Sequence, residues 1–465
     1  MIDSTLLSRI QFGFTMTAHI IYPSISIGVV TFLVIFEGLY LATRNKIYLA
    51  ICKFWTKIFA LTFGMGVVSG IVMEFQFGTN WGGFPEKVGS ILGALFTYEV
   101  LTAFFIESGF LGIMLFGWRR VHPFLHYCAT CMVAFGTSLS AFWVVAANSW
   151  MQTPYGYRFG EQGELVADGW WDVIFNPSSV SRFTHMLLSC YITATFIILG
   201  ISSYYLFFKK HKQTASICAN FCIIAGCILM PTQLWMGHHV GVVVHEYQPV
   251  KIAAMEGIWN TQYGAPTILF AIPNQQAERN DYVLEIPKLA SFLNTGDWNA
   301  KMVGMTSVPK EDRPNMFIVF WTFRLMVGSG MAMLFVAYLG LALKLWNKHL
   351  SSKIYQVICM LASPLGLLAI ETGWMTAEIG RQPWAVYNLL RTKDLASQVS
   401  VSQVMTSLIC LIIVYGLVFG YFFTKYFLKV VRKGPDSHLD IEEHEALAFN
   451  YMSTFKHDES DKKDK

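Results

Sequence analysis

Residues 371–384 read ETGWMTAEIGRQPW and follow LASPLGLLAI, an apolar run long enough to be the body of a membrane helix. Glu371 and Glu378 therefore need partners or a task, because a carboxylate in hydrocarbon is costly. At about 100° and 1.5 Å per residue, the two share one helix face about two turns apart. The same arithmetic puts Glu99 and Glu107, in FTYEVLTAFFIES, within about 80° of each other and about 12 Å apart. Such pairs suit the steps of a proton path or the holding of a cofactor. Charge-compensated structural carboxylates are the plainer alternative.

Other polar residues inside apolar runs are His19, Glu37, Glu74, His185, Arg324 and Met326. A single helical histidine is more often a hydrogen-bonded packing residue than a ligand. The neighbourhood favours ligation here, since haem iron takes His or Met and a His/Met pair raises the potential relative to His/His. Met326 sits in FRLMVGSG, where small residues leave room for a flat macrocycle and Arg324 could meet a propionate. A bis-histidine cytochrome b arrangement is excluded, because only His19 and His185 lie deep. WMGHHVG at 235–241 has the double histidine of a haem–copper site but lacks the further membrane histidines that site needs. His238 and His239 fit the outer end of a helix, as surface or quinone-site residues.

The elements that must position these residues follow from composition. Of 465 residues, 54% are hydrophobic and only 14% charged, against about a quarter charged in soluble domains, and the mean hydropathy is +0.45. Apolar stretches at 10–42, 55–73, 92–117, 125–147, 182–208, 215–236, 315–345, 355–378 and 403–428 each supply the ~20 residues a spanning helix needs. The sequence thus predicts an all-α membrane protein of nine spans. Every other connection is basic: Arg44, Lys46 and Lys53; Arg119 and Arg120; Lys209, Lys210 and Lys212; Lys344, Lys348 and Lys353; Lys429, Arg432 and Lys433. The positive-inside rule then puts the N-terminus outside and the C-terminus in the cytoplasm. The first stretch exceeds a signal-peptide core and is expected to remain a span. The net charge of +4 restates the basic loops and calls for no nucleic-acid partner. Nine cysteines fall in or beside helices, and CATC at 128–131 fits small apolar packing better than redox or zinc duty. The expected organisation is a membrane domain over 1–428, with an outer loop at about 237–314, and a polar cytoplasmic tail over 429–465.

Together these residues resemble subunit I of the cytochrome bd quinol oxidases. The likeness runs through SRIQFGFTMTAHIIYP, EFQFGTNW, FTYEVLTAFFIES, WVVAANSWMQ, KIAAMEGIWNTQ, FRLMVGSG and ETGWMTAEIGRQPW, nearly the whole chain up to the tail. The outer loop lacks the long insertion of some members, as in the short-loop branch associated with cyanide insensitivity.

The resemblance implies His185 and Met326 as axial ligands of a low-spin haem b. It implies His19 on the oxygen-binding iron and Glu371 on the other iron of a high-spin pair, one a haem b and one a haem d or a third haem b. It implies Glu99 and Glu107 as the acids leading protons to oxygen, and Lys251 with Glu256 as the quinol pair. Arg324, Glu378, Arg381 and Trp384 are expected around the cofactors, Arg381 compensating propionates or Glu378, with Pro383 ending the helix. Five residues apart on a helix, Lys251 and Glu256 diverge by about 140° and cannot both point at one ligand atom.

The expected activity is oxidation of quinol at the outer face and reduction of O2 to water with cytoplasmic protons, without a pump, in the bacterial cytoplasmic (inner) membrane. A homologous second membrane subunit and small single-span subunits are the implied partners. The rival classes are a proton-coupled transporter, which calls for inverted repeats and broken helices, and a structural subunit that has lost its haems.

Overall fold

The computed structural model describes residues 3–435; the polar tail expected beyond the last span, from residue 436, lies outside them. Among the described residues nine helical spans are long and apolar enough to cross a membrane, as the hydropathy pattern requires. Their ends differ from the apolar stretches. The first helix is Ser4–Thr43, the second Lys46–Thr79 and the sixth Lys212–Tyr247. At 1.5 Å per residue the 40-residue first helix is about 60 Å long, twice the ~30 Å of hydrocarbon it crosses. Hydropathy sees only the lipid-facing part; the helices continue where neighbouring backbone, rather than lipid, surrounds them. His238 and His239 consequently lie within the sixth helix and not at its end.

The spans pack as two four-helix groups. Spans one to four form one, each touching the next and the fourth returning to the first; spans five to eight repeat the pattern. The first and fourth spans rest on the fifth, and the ninth lies along the first and second. One end of the molecule carries the basic connections. The other carries the short 80–82 turn, a two-stranded ribbon pairing Tyr157–Phe159 with Leu165–Ala167, the 248–315 loop and the 380–400 segment.

Four irregularities have local causes or consequences. Pro23 removes the backbone donor that would reach the carbonyl of His19. Pro231 does the same to the carbonyl of Cys227, which the Tyr338 hydroxyl takes instead at 3.3 Å. The eighth span is two helices, Lys353–Ala362 and Leu365–Ile379, interrupted at Ser363 and Pro364. The third span switches to π-helix over Glu99–Phe104. That switch alters the regular-helix arithmetic for Glu99 and Glu107, since the wider turn absorbs about one residue's rotation between them.

The 248–315 loop folds back over the span ends. It contains the helix Pro249–Glu256, a hairpin of Thr267–Asn274 with Arg279–Ile286, and the helix Leu289–Thr295. Ile252, Ala253, Ala254, Ile258 and Met302 pack on Met316 and Val319 of the seventh span. Burying these side chains, at about 25 cal/mol per Å², anchors the loop to the bundle.

Candidate redox site

His19 lies on the first span against the second. Its Nδ1 is 2.9 Å from Ser69 Oγ, and that hydroxyl is 2.8 Å from the Met65 carbonyl. A serine that donates to the carbonyl accepts from the ring, so Nδ1 carries the hydrogen and Nε2 keeps a free lone pair, the tautomer a metal ligand needs.

His185 and Met326 occupy the second group of helices, on the fifth and seventh spans. Each faces a glycine on the adjoining span. A Cβ on Gly237 would lie 3.3 Å from His185 Cε1, and a Cβ on Gly373 only 2.9 Å from Met326 Sδ. Gly70 stands in the same relation to His19, at 3.3 Å from its Cε1. The sequence therefore removes side chains beside three of the four proposed ligands, His19, His185 and Met326.

Some of the buried polar atoms without partners belong to His185 and to the residues around Glu371 and Glu378. Among the described residues these include His185 Nδ1, Glu371 Oε1, Trp374 Nε1, Arg182 Nε, and Nε and Nη1 of Arg381. Native interiors leave few such atoms unpaired, and each needs an explanation. Haems fit: iron takes imidazole, thioether or carboxylate, and propionates accept from guanidinium.

Around Glu378 the structure gathers residues from four elements. Glu378 Oε2 accepts from Arg381 Nη2 at 2.5 Å, while Oε1 accepts from Asn148 and Gln152, each at 3.0 Å. Arg182 donates to Asn148 Oδ1, and Lys251 Nζ donates to Gln152 Oε1 at 2.5 Å. Three basic side chains thus converge on one carboxylate, and the two guanidiniums by themselves leave an excess of positive charge suited to an anionic guest. Burial, then the Arg182 charge, holds the Lys251 ammonium well below the usual lysine range, opposed by Glu378. Arg182, Asn148 and Gln152 are the site residues that sequence reasoning missed. Their only signal was Asn148 and Gln152 four apart in WVVAANSWMQ, which puts both on one helix face.

Arg324 departs from expectation. Its guanidinium donates to the carbonyls of Met255 (2.6 Å), Phe320 (3.1 Å) and Ile268, and lies over the Phe320 ring at 3.3 Å. It staples the loop to the seventh span rather than reaching toward Met326. Trp384 opens a short strand after the helix end and lies under the Arg391 guanidinium at 4.8 Å, with Arg391 paired to Asp312 at 2.5 Å. The last helix before that strand ends at Ile379, four residues ahead of Pro383.

Glu99 and Glu107 both turn to the fourth span. Ser140 Oγ donates to Glu99 Oε1 at 2.6 Å, and Glu107 is buried where Gly136 leaves room, a Cβ there lying 2.7 Å from Glu107 Cγ. Glu74 is exposed on the outside of the bundle. Lys251 and Glu256 are both buried, unlike ordinary surface charges. All nine cysteines are free thiols.

The model for "Cytochrome bd terminal oxidase subunit I" matches residues 7–435. The chain is 34% identical to the cytochrome bd ubiquinol oxidase subunit 1 of Bacillus subtilis (strain 168), over 94% of this chain and 96% of that one. It is 31% identical to the cytochrome bd-II ubiquinol oxidase subunit 1 of Escherichia coli (strain K12), over 93% and 97%. The solved bd oxidase from Geobacillus thermodenitrificans superposes with a TM-score of 0.86 at 29% identity, covering 93% of this chain and 99% of that one. With nine apolar helices among its described residues and bacterial relatives, this is a multi-pass protein of the bacterial inner membrane. The chain belongs to the cytochrome bd terminal oxidase subunit I family.

Proposed function

We propose that this chain is the haem-bearing subunit of a quinol:oxygen oxidoreductase. In this reading quinol is oxidised at the face covered by the 248–315 loop. Oxygen is reduced to water with protons drawn from the basic, cytoplasmic face. The single observation that carries it is the set of unpaired buried atoms, His185 Nδ1, Glu371 Oε1 and the Arg182 and Arg381 guanidinium nitrogens, lying where the family pattern calls for haem contacts.

His185 and Met326 would hold a low-spin haem b, and His19 and Glu371 a high-spin pair comprising a haem b and a haem d or third haem b. When bound, the haems supply one-electron transfer and the iron at which oxygen is reduced. The protein's own groups do the rest. Ser69 fixes the His19 tautomer. Glu256 accepts a quinol proton as general base, while Lys251, held by Gln152, steadies the loop and the negative charge that develops. Glu99 and Glu107 hold protons on the way to oxygen. Two quinols furnish four electrons and release four protons outside, and four protons are taken up inside to make two waters, so turnover separates charge without a pump.

The exposed apolar faces of the second, third and ninth spans, with Phe75, Leu101, Phe105 and Leu417 outward, fit a homologous second membrane subunit and small single-span partners. An absorption spectrum of the purified membrane protein tests the reading. Low-spin b bands with a red-shifted chlorin band support a haem d, and b bands alone a third haem b. A colourless protein would leave the proton-coupled transporter.

A further inference from the structure

Glu37 and His126 form a second buried acid–base pair, apart from every residue assigned a role above. Glu37 Oε1 lies 2.6 Å from His126 Nδ1, Thr130 Oγ1 donates to Glu37 Oε2 at 2.7 Å, and His126 Nε2 lies 3.1 Å from the Met114 carbonyl. Both side chains are almost wholly enclosed, at 3% and 2% exposure. A carbonyl can only accept, so Nε2 bears a hydrogen. Two bare acceptors would not sit 2.6 Å apart, so a further proton lies between Nδ1 and Oε1, on one atom or the other. The pair therefore stores one exchangeable proton.

Its place in the bundle gives that proton a destination. On the fourth span His126, Thr130, Thr137 and Ser140 fall within about 80° of one another, a polar stripe on one face. Three carboxylates from other spans meet this helix in order from the basic end: Glu37 at His126 and Thr130, Glu107 at Gly136, and Glu99 at Ser140. By helical rise, Glu37 and Glu107 contact the helix about 12 Å apart along its axis. Buried Met114 and Val133 occupy the interval. Trp118 stacks on His126 at 3.9 Å between ring centres and immediately precedes the basic Arg119 and Arg120. Among the described residues, other titratable groups near the pair include Cys52 on the second span and Tyr127, Cys128 and Cys131 on the fourth.

We infer that the Glu37–His126 pair is a proton-loading station at the basic end of the bundle, passing its proton across the Met114–Val133 layer to the Glu107 carboxylate and being reloaded from that face. This rests on the oxidase reading above. The step moves a proton alone, with no change in oxidation state: the bond at Glu37 or His126 breaks, and one forms at Glu107 through a short chain of water. A purely structural role would need only the hydrogen bonds, since a buried pair is weak ground for stability.

The test compares wild type with Glu37→Gln in the purified holoenzyme. Glutamine can donate its amide N–H to the bare Nδ1 of neutral His126 and accept from Thr130 through its oxygen, but it cannot carry the proton. The expected result is a fall of about tenfold or more in quinol-dependent oxygen uptake, within the range of lost acid–base catalysis. It should come with a larger solvent deuterium isotope effect, unchanged haem bands and unchanged reduction of the haems by quinol. Glu37→Asp should recover part of the rate. Wild-type turnover in Glu37→Gln, or a slow variant that has lost haem absorption and has a normal isotope effect, overturns the inference. If Glu37→Gln does not assemble, Glu37→Leu/His126→Phe removes both polar partners together, and full turnover there overturns it equally. A wild-type protein without quinol-dependent oxygen uptake would instead overturn the oxidase reading itself.

Discussion

Lys251 and Glu256, five residues apart on one short buried helix, engage different partners: Lys251 Nζ donates to Gln152 at 2.5 Å, while Glu256 stands within electrostatic reach of Arg324 and leaves Oε2 unpaired. Their roles should differ accordingly. Glu256→Gln should lower quinol oxidation about 100-fold, as expected when a general base is lost, while oxygen uptake from an artificial donor that bypasses the loop persists. Loss of both activities together with haem would show Glu256 to be a folding residue.

Burial holds the Glu256 carboxyl above its usual range. A base accepts a proton only when deprotonated, so quinol oxidation should rise with pH through that raised value and fall below it. The acid limb should lie above about 4.3, the value of an unperturbed glutamate, and should be absent from the residual activity of Glu256→Gln. A pH–rate profile of both proteins checks this.

Met326→Leu keeps the volume of the side chain and should cost under about 1.5 kcal/mol of stability while removing the sulfur. The low-spin b bands should change and the potential fall. Gly373→Ala is a second probe, because its new Cβ would press on Met326 Sδ; a shifted low-spin band with total haem retained is expected. Reduced-minus-oxidised spectra unchanged in both variants would remove Met326 from the ligand set.

Glu107→Gln should retain haem, since the amide fills the space beside Gly136 as the acid does. Oxygen reduction should slow about 100-fold, as for a lost proton donor. Oxygen-electrode rates alongside haem content give the answer, and a normal rate would make Glu107 structural.

Arg381→Ala breaks a mostly buried pair and leaves Glu378 with Asn148 and Gln152. The expected cost is about 3 kcal/mol, visible as haem release on heating at lower temperature than in wild type. An unchanged release temperature would show that Arg182 and Lys251 suffice to compensate Glu378.

The spans were legible because a bilayer imposes a length on apolar runs, and the Lys251–Glu256 divergence because helical rotation is fixed. Helix ends were less so: hydropathy placed the sixth span at 215–236, whereas helix persists to Tyr247 under the loop. Beyond its Arg381 pair, the Glu378 network was invisible because Asn148 and Gln152, Arg182, and Lys251 come from three separate elements. Nothing within one segment reports a contact between residues 148 and 378. Arg324 was read by its sequence neighbour Met326, but carbonyls of a loop more than fifty residues away determine where its guanidinium goes.

The π segment at Glu99–Phe104 makes the third span a helix with, in effect, one inserted residue. Excising one residue there, Leu101 for example, would restore the ordinary winding and leave a helix still long enough to cross the bilayer. Because the π turn already absorbs one residue's rotation of about 100°, that excision would also keep Glu107 at the notch beside Gly136. The chain's tolerance of single-residue deletions should therefore be uneven along this span: mild inside the π segment, yet disabling in the regular helix just before Glu107, where nothing absorbs the lost rotation and the acid turns away from the fourth span.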